Sequence, residues 1–390
     1  MIAVSEALLK LTALVEPLPS EVVALQQAGG RVLASDVKAP RNQPPFASSA
    51  MDGYAVPAAG LRRGARYLVI GEAAAGHAFT KPVGMEQAVR IFTGAPLPTG
   101  ANYVVIQENV NRDGQHIVVT GEVDTNPYIR DAGSDFKAGQ RLIAPRQLQA
   151  ADIALLAAMN QPVVRVRRKP VVAVIATGDE LVMPGEIPRP DQIIASNGFG
   201  LKTLFEANGA DVRLLPIARD TVASLSLLFE FAEETDLIVT IGGASVGDHD
   251  LVASASTSIG LERSFYKVAM RPGKPLMAGC IKGTPIVGLP GNPVSSMVCG
   301  HVFILPMIDR LLGLPKRGGT FKTAPLSCAI PANAARQHYM RARLEDGVLT
   351  PFDRQDSALL TVLVDANALL IRPPHGPALH SGTHVPYICL

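Results

Sequence analysis

The apolar positions change their period several times along the chain. Near the start, Val4, Leu8, Leu11 and Val15 recur at helical spacing and predict a first helix. Residues 20–27 read as a second helix, with Ser20 at its N-cap and Gly29 near its C-cap, where a short oxygen acceptor and a residue tolerant of positive φ are favoured. From Pro44 to Pro127 the pattern turns to short β-branched runs, at 67–70, 88–92, 103–107 and 116–120, separated by Gly and Pro turns. Helical spacing returns at 151–159, after which Val164 and Val166 alternate with Arg165 and Arg167 as in a half-exposed strand. Residues 170–315 differ again. Unbroken apolar runs at 171–176, 214–218, 237–241 and 286–289 alternate with helical patterns at 198–207 and 222–232, which predicts βαβ units with strands buried on both faces. The rest is β-like at 324–330, 368–371 and 384–389, with Pro and Gly breaks.

The expected architecture is an α/β and β multidomain chain. A discontinuous helical domain (1–43 and 136–169) holds an inserted β domain (44–135), followed by a central α/β domain (170–318) and a C-terminal β domain (319–390). Composition agrees with this picture. A chain of 390 residues that is 47% hydrophobic has material for several cores and is long enough for roughly two to four domains. The net charge is only +2, and apart from the short run 165–169 there is no basic patch, so nucleic acid is set aside. Apolar runs such as 171–176 fall far short of the roughly 20 residues that cross a bilayer, and the N-terminus lacks a basic leader with a small-residue cleavage site. No membrane partner is expected. Four cysteines with no C-x-x-C pair suggest buried thiols in a reducing compartment, so the expected location is cytoplasmic.

In an open parallel sheet the ligand crevice lies beyond the carboxyl ends of the strands, so the residues that follow each run decide the chemistry. After 171–176 comes Thr177-Gly178-Asp179-Glu180; after 214–218, Arg219-Asp220; after 237–241, a glycine-rich stretch from Gly242 and Gly243 through Ser245 to Asp250; after 286–289, Pro290-Gly291-Asn292-Pro293. The segment from Lys267 to Lys274 adds three cations with Arg271 between them. Glycines let backbone N–H groups approach an anion closely, and Lys and Arg supply counter-charge. Carboxylates beside such an anion would repel it, so Glu180, Asp220 and Asp250 are candidates to hold a hard cation such as Mg²⁺.

Blander readings stand beside these. Asp220 or Asp250 would serve as a helix N-cap, Lys267 and Arg271 as a solvated edge, and Asp52 and Thr93 as turn residues. The stretch from Gly243 to Gly247 also fits G-x-S-x-G, the nucleophile elbow of α/β-hydrolases, with Ser245 as nucleophile and Asp309 or Asp365 before His375 in the order that family uses. His375, His380 and His384 read as scattered surface residues, because the intervening prolines forbid a helix that would align them.

Taken together, SSAMDGYA (48–55), FTGAPLPTGANYVV (92–105), IRDAGSDFKAG (129–139), ATGDEL (176–181), Ser196-Asn197, GGASVGDHD (242–250), MRPGKP (270–275) and GLPGNPVS (288–295) resemble the molybdopterin molybdenumtransferases, the MoeA and gephyrin E-domain family. The resemblance covers nearly the whole chain. It implies an enzyme of molybdenum cofactor biosynthesis: a homodimer that takes adenylylated molybdopterin and molybdate, inserts molybdenum and releases AMP with Mg²⁺. It also implies a central pterin-binding domain like that of MogA-type adenylyltransferases, themselves possible partners. The residues it carries over are Asp52, Thr93, Asp135, Glu180, Asp220, Asp250, Lys267, Arg271 and Lys274, with Gly242, Gly243 and Ser245 in the glycine-rich loop. A non-catalytic scaffold of the gephyrin type is a further alternative. Arg271 stands where the best-known members carry Lys, which replaces a point donor with a planar fork.

Overall fold

The computed structural model describes residues 1–242, 260–315 and 321–390. Its centre is a six-stranded sheet in the order Asp211–Leu214, Val171–Ala176, Leu237–Ile241, Thr284–Leu289, Met277–Ile281, Leu261–Tyr266. The first four strands run parallel, with Val172 opposite Leu237 and Ile238 opposite Ile286. The last two are antiparallel and were not foreseen from the sequence. The inner parallel strands are buried almost throughout, as their unbroken apolar runs require.

Helix Asn197–Ala207 and the helical run Pro293–Leu311 cover one face. There Leu201, Phe205 and Phe303 pack on Val174 and Val239, together with Leu11 of the N-terminal helix Val4–Ala13 and Tyr339 of the C-terminal sheet. Helix Val222–Phe231 covers the other face through Leu225, Leu228 and Phe229. Phe205 is fully buried, so Phe205→Ala is expected to destabilise the protein by about 3–5 kcal/mol through lost transfer energy plus a residual cavity, read as a lower midpoint in denaturant.

The run Pro293–Leu311 is long and apolar enough to span a bilayer by length and composition, yet it is mostly buried in this core. It widens into a π-turn at Gly300–Ile304, which ends two residues before Pro306. Pro306 has no N–H for the carbonyl four residues back and its ring crowds that position, so a local change of pitch lets the helix continue.

The expected second helix at 20–27 is a strand, Ser20–Ala24, followed by a 3-10 turn at Leu25–Gln27. Val22 and Val23 are β-branched, and the segment pairs antiparallel with Val163–Arg167 from Ser20–Arg167 to Ala24–Val163, so tertiary pairing overrides weak capping cues. Val32–Leu33 and Arg146–Gln147 complete a four-stranded sheet where a helical unit was expected. The strand expected at 214–218 is shifted to Asp211–Leu214. Pro216 cannot donate to a ladder, and the chain returns only as an isolated bridge from Ala218 to Thr177.

Strands between Gly53 and Val119 form a second six-stranded sheet with an apolar cluster on each face. The C-terminal sheet runs Met270–Arg271, Gln337–Glu345, Ala368–Arg372, His384–Cys389, Lys322–Pro325. Met270–Arg271 therefore extends from the α/β unit to form the edge of the C-terminal sheet.

Candidate active site

The carboxyl ends of the parallel strands are stitched to each other. Thr177 N–H donates to the Ile241 carbonyl (2.9 Å), Gly178 N–H to Ala218 (3.1 Å) and Gly242 N–H to Leu289 (3.0 Å). Gly242 has φ +91°, and a Cβ there would lie 2.7 Å from the Thr177 carbonyl oxygen, so only glycine lets these two strand ends meet. Gly178 lies under the Glu180 carboxylate, where a Cβ would come within 2.2 Å of Oε2. Arg219 Nη1 donates to the Asp179 and Leu181 carbonyls (3.3 and 3.4 Å), pinning that turn from the next strand end.

A cavity of about 720 Å³ opens over these ends, lined by Thr177, Gly178, Glu180, Asp220, Gly242, Asn197, Asn292 and the apolar Ile193 and Ile194. Glu180 and Asp220 thus meet in one cleft, both exposed. Asp220 is not the cap of the helix that follows. Thr221 takes that role, its Oγ1 accepting from Ser224 N–H at 3.2 Å, while Asp220 N–H donates to Asp179 Oδ1 at 3.3 Å. Asn197 Nδ2 donates to the Gly291 carbonyl (2.7 Å) and fixes the opposite wall.

A second cavity of about 350 Å³ is lined by Arg271, Lys274, Arg336, Gln355, Asp356 and Ser357. Both cavities share Pro275, Pro290 and Asn292, so an acid-lined cleft and a cation-lined one adjoin across a common wall. Asn292 Nδ2 donates to Ser357 Oγ (3.0 Å), and Val294 N–H to the Ser357 carbonyl (3.0 Å), tying the C-terminal unit to that wall. Behind it, Arg341 is almost fully buried and donates to the Asp356 carbonyl (2.6 Å) and to Gln355 Oε1, holding the loop that presents Asp356 and Ser357.

Of the three cations foreseen in sequence, Arg271 and Lys274 line this second cavity and Lys267 lines neither; its ammonium lies 5.0 Å from the Tyr266 ring centroid. Arg336 is the third pocket cation, missed because nothing in its own neighbourhood marks it. Only the pairing of Arg271 with His338 brings it alongside.

Asp52 and Thr93 form a corner of the inserted β sheet. Asp52 Oδ1 accepts from both the Thr93 N–H and its Oγ1 at 2.8 Å, and these bonds hold the carboxyl below its usual range, helped by Arg90. This pair and the exposed Asp135, whose N–H donates to the Gln43 carbonyl (3.0 Å), line neither cavity. Gly243, Ser245 and Asp250 lie outside the described residues. Among the described residues no group of three or more His, Cys, Asp or Glu side chains gathers as a metal cluster. The donors of the larger cleft are nonetheless all oxygen, with two carboxylates and a threonine hydroxyl, a set suited to a hard cation that retains much of its water.

Fold and site together define an α/β protein with its principal cleft beyond the carboxyl ends of a parallel sheet, where ligands of such folds bind. Three family models cover most of the chain: the MoeA N-terminal region (domains I and II) over residues 2–160, the probable molybdopterin binding domain over 173–310, and the MoeA C-terminal region (domain IV) over 323–390. The chain is 35% identical over 379 residues to Molybdopterin molybdenumtransferase 2 of Mycobacterium tuberculosis, covering 93% of each. It is 37% identical over 309 residues to Molybdopterin molybdenumtransferase of Nostoc, covering 76% of this chain and 70% of that one. A solved molybdopterin biosynthesis MoeA protein from Pyrococcus horikoshii superposes over 100% of this chain and 99% of its own, with a TM-score of 0.84 and 31% identity. This chain belongs to the molybdopterin molybdenumtransferase family. Neither the hydrolase nor the scaffold alternative is favoured by these relatives.

Proposed function

We propose that the chain inserts molybdenum from molybdate into adenylylated molybdopterin and releases AMP. Family membership makes it a transferase of molybdenum cofactor biosynthesis. The observation that carries the finer reading is the shared wall of Pro275, Pro290 and Asn292 between an acid-lined and a cation-lined cavity. Arg271, Lys274 and Arg336 take the tetrahedral oxyanion, because guanidinium forks and an ammonium match its charge and acceptor oxygens. The larger cleft takes the adenylylated pterin, with Gly178, Gly242 and Gly291 of the strand ends against phosphate and its apolar rim of Ile193 and Ile194 against the flat heterocycle. Glu180 and Asp220 would hold Mg²⁺, with Asp250 as the third candidate; such an ion neutralises phosphate charge. Fixed cations beside the departing AMP lower the barrier by stabilising charge that develops as the phosphoanhydride breaks.

A homodimer belongs to this reading. Asp52, Thr93 and Asp135 line neither cavity of their own chain, and a second copy would bring its β unit to the cleft. A cytoplasmic setting fits the four cysteines, which all remain thiols, and a MogA-type adenylyltransferase would supply the activated pterin. The test is incubation with adenylylated molybdopterin with and without molybdate. AMP is expected only when both are present. Release at the same rate without the oxyanion, or labelling of Ser245 by a fluorophosphonate probe, would contradict the assignment.

A further inference from the structure

Three neighbouring strands set Arg271, His338 and Arg372 in one row. Arg271 pairs with His338 across the parallel contact of Met270–Arg271 with Gln337–Glu345, and His338 pairs with Arg372 across the antiparallel contact with Ala368–Arg372. Strands lie about 4.8 Å apart, and residues directly opposite present their side chains to the same face. The imidazole therefore stands between two guanidinium groups. His338 is 8% exposed and Arg372 2%, and neither His338 Nε2 nor Arg372 Nε has a hydrogen-bond partner. Arg336, two residues before His338, donates Nη1 to the Met270 carbonyl (3.4 Å), and Arg341 of the same strand is buried behind the loop that carries Asp356.

Among the described residues, none of these four arginines forms a salt bridge. Asp356, across the smaller cavity, is the carboxylate that faces the group. A carboxylate in the middle of the row would be the ordinary way to balance a buried Arg372 beside the exposed Arg271. Instead the position is occupied by a ring that stays uncharged. Burial first, and then Arg271, Arg341, Arg336 and Arg372, push the imidazole down to about 4.

We propose that His338 is a positioning residue of the oxyanion pocket, a neutral spacer that separates Arg271 from Arg372 without pairing with either and so leaves the Arg271 head available to the anion. This rests on the reading of the smaller cavity as the oxyanion site. The arrangement leaves the cations of the row without a salt-bridge partner of their own among the described residues, a local instability of the kind that sites retain for function.

The experiment compares His338→Glu, His338→Gln and Arg271→Ala with the full wild-type chain, measuring molybdate affinity by calorimetry, the KM and kcat for molybdate-dependent AMP release, and thermal midpoints. A glutamate beside Arg271 ties down its head, so His338→Glu is expected to raise the molybdate Kd and KM about tenfold or more with kcat little changed. Its midpoint stays at or above that of wild type, which loss of a merely structural histidine would lower. His338→Gln, neutral and of similar reach, keeps Kd within about threefold. Should Arg271→Ala lose molybdate while His338→Glu binds it like wild type, the spacer role is overturned and the pocket stands. Should Arg271→Ala bind like wild type, the pocket reading falls and the spacer role with it.

Discussion

Glu180→Gln is expected to reduce molybdate-dependent AMP release by about a thousandfold or more, the scale on which loss of one preorganised electrostatic group acts on a charge-separating step. The substitution keeps the shape of the side chain and removes its charge. Glu180 lies exposed at the carboxyl end of strand Val171–Ala176, folded over Gly178 and facing Asp220 across one cleft. Because it supports no core packing, the thermal midpoint should stay near that of wild type, within the roughly 0.5 kcal/mol typical of surface changes. Rates of AMP release beside melting curves check both halves. A fully active Glu180→Gln protein would remove this carboxylate from the chemistry.

The second large effect belongs to the cation-lined cavity. Arg271→Ala combined with Lys274→Ala removes two donors whose bonds to a charged ligand are each worth about 1.5–3 kcal/mol, so molybdate affinity should fall about a hundredfold or more. Removing exposed cations elsewhere is the control. Lys10 and Lys282 sit in surface ion pairs with Glu6 and Glu233, and their replacement by Ala should leave affinity within about twofold. Calorimetry at two salt concentrations decides between a local contact and a general field. A loss that vanishes at high salt would point to long-range attraction rather than to a built site.

The parallel strands were legible because they are buried on both faces, and a strand with no solvent side leaves an unbroken apolar run: the bounds of Val171–Ala176 and Leu237–Ile241 agree to the residue. From those strands the placing of Glu180 and Asp220 in one cleft followed. Legibility ended wherever a residue's position depends on a partner far away in sequence. Ser20–Ala24 carries local helix signals and becomes a strand through Val163–Arg167. Arg336 joins Arg271 only because a two-residue strand of the α/β unit extends the C-terminal sheet. Lys267, three residues before the buried Met270, is directed to Tyr266 instead of the pocket, which a count of cations within eight residues had no means to show. The Asp52–Thr93 corner reads locally as turn chemistry, and only family likeness marks it as more.

The most direct measurement is the anomalous signal of molybdenum in crystals of the wild-type protein soaked in molybdate. A peak is expected in the smaller cavity, with oxyanion oxygens about 2.7–2.9 Å from the heads of Arg271 and Lys274, and next to the wall of Pro275, Pro290 and Asn292. A molybdenum peak elsewhere on the protein, with that cavity holding only water, would contradict the account.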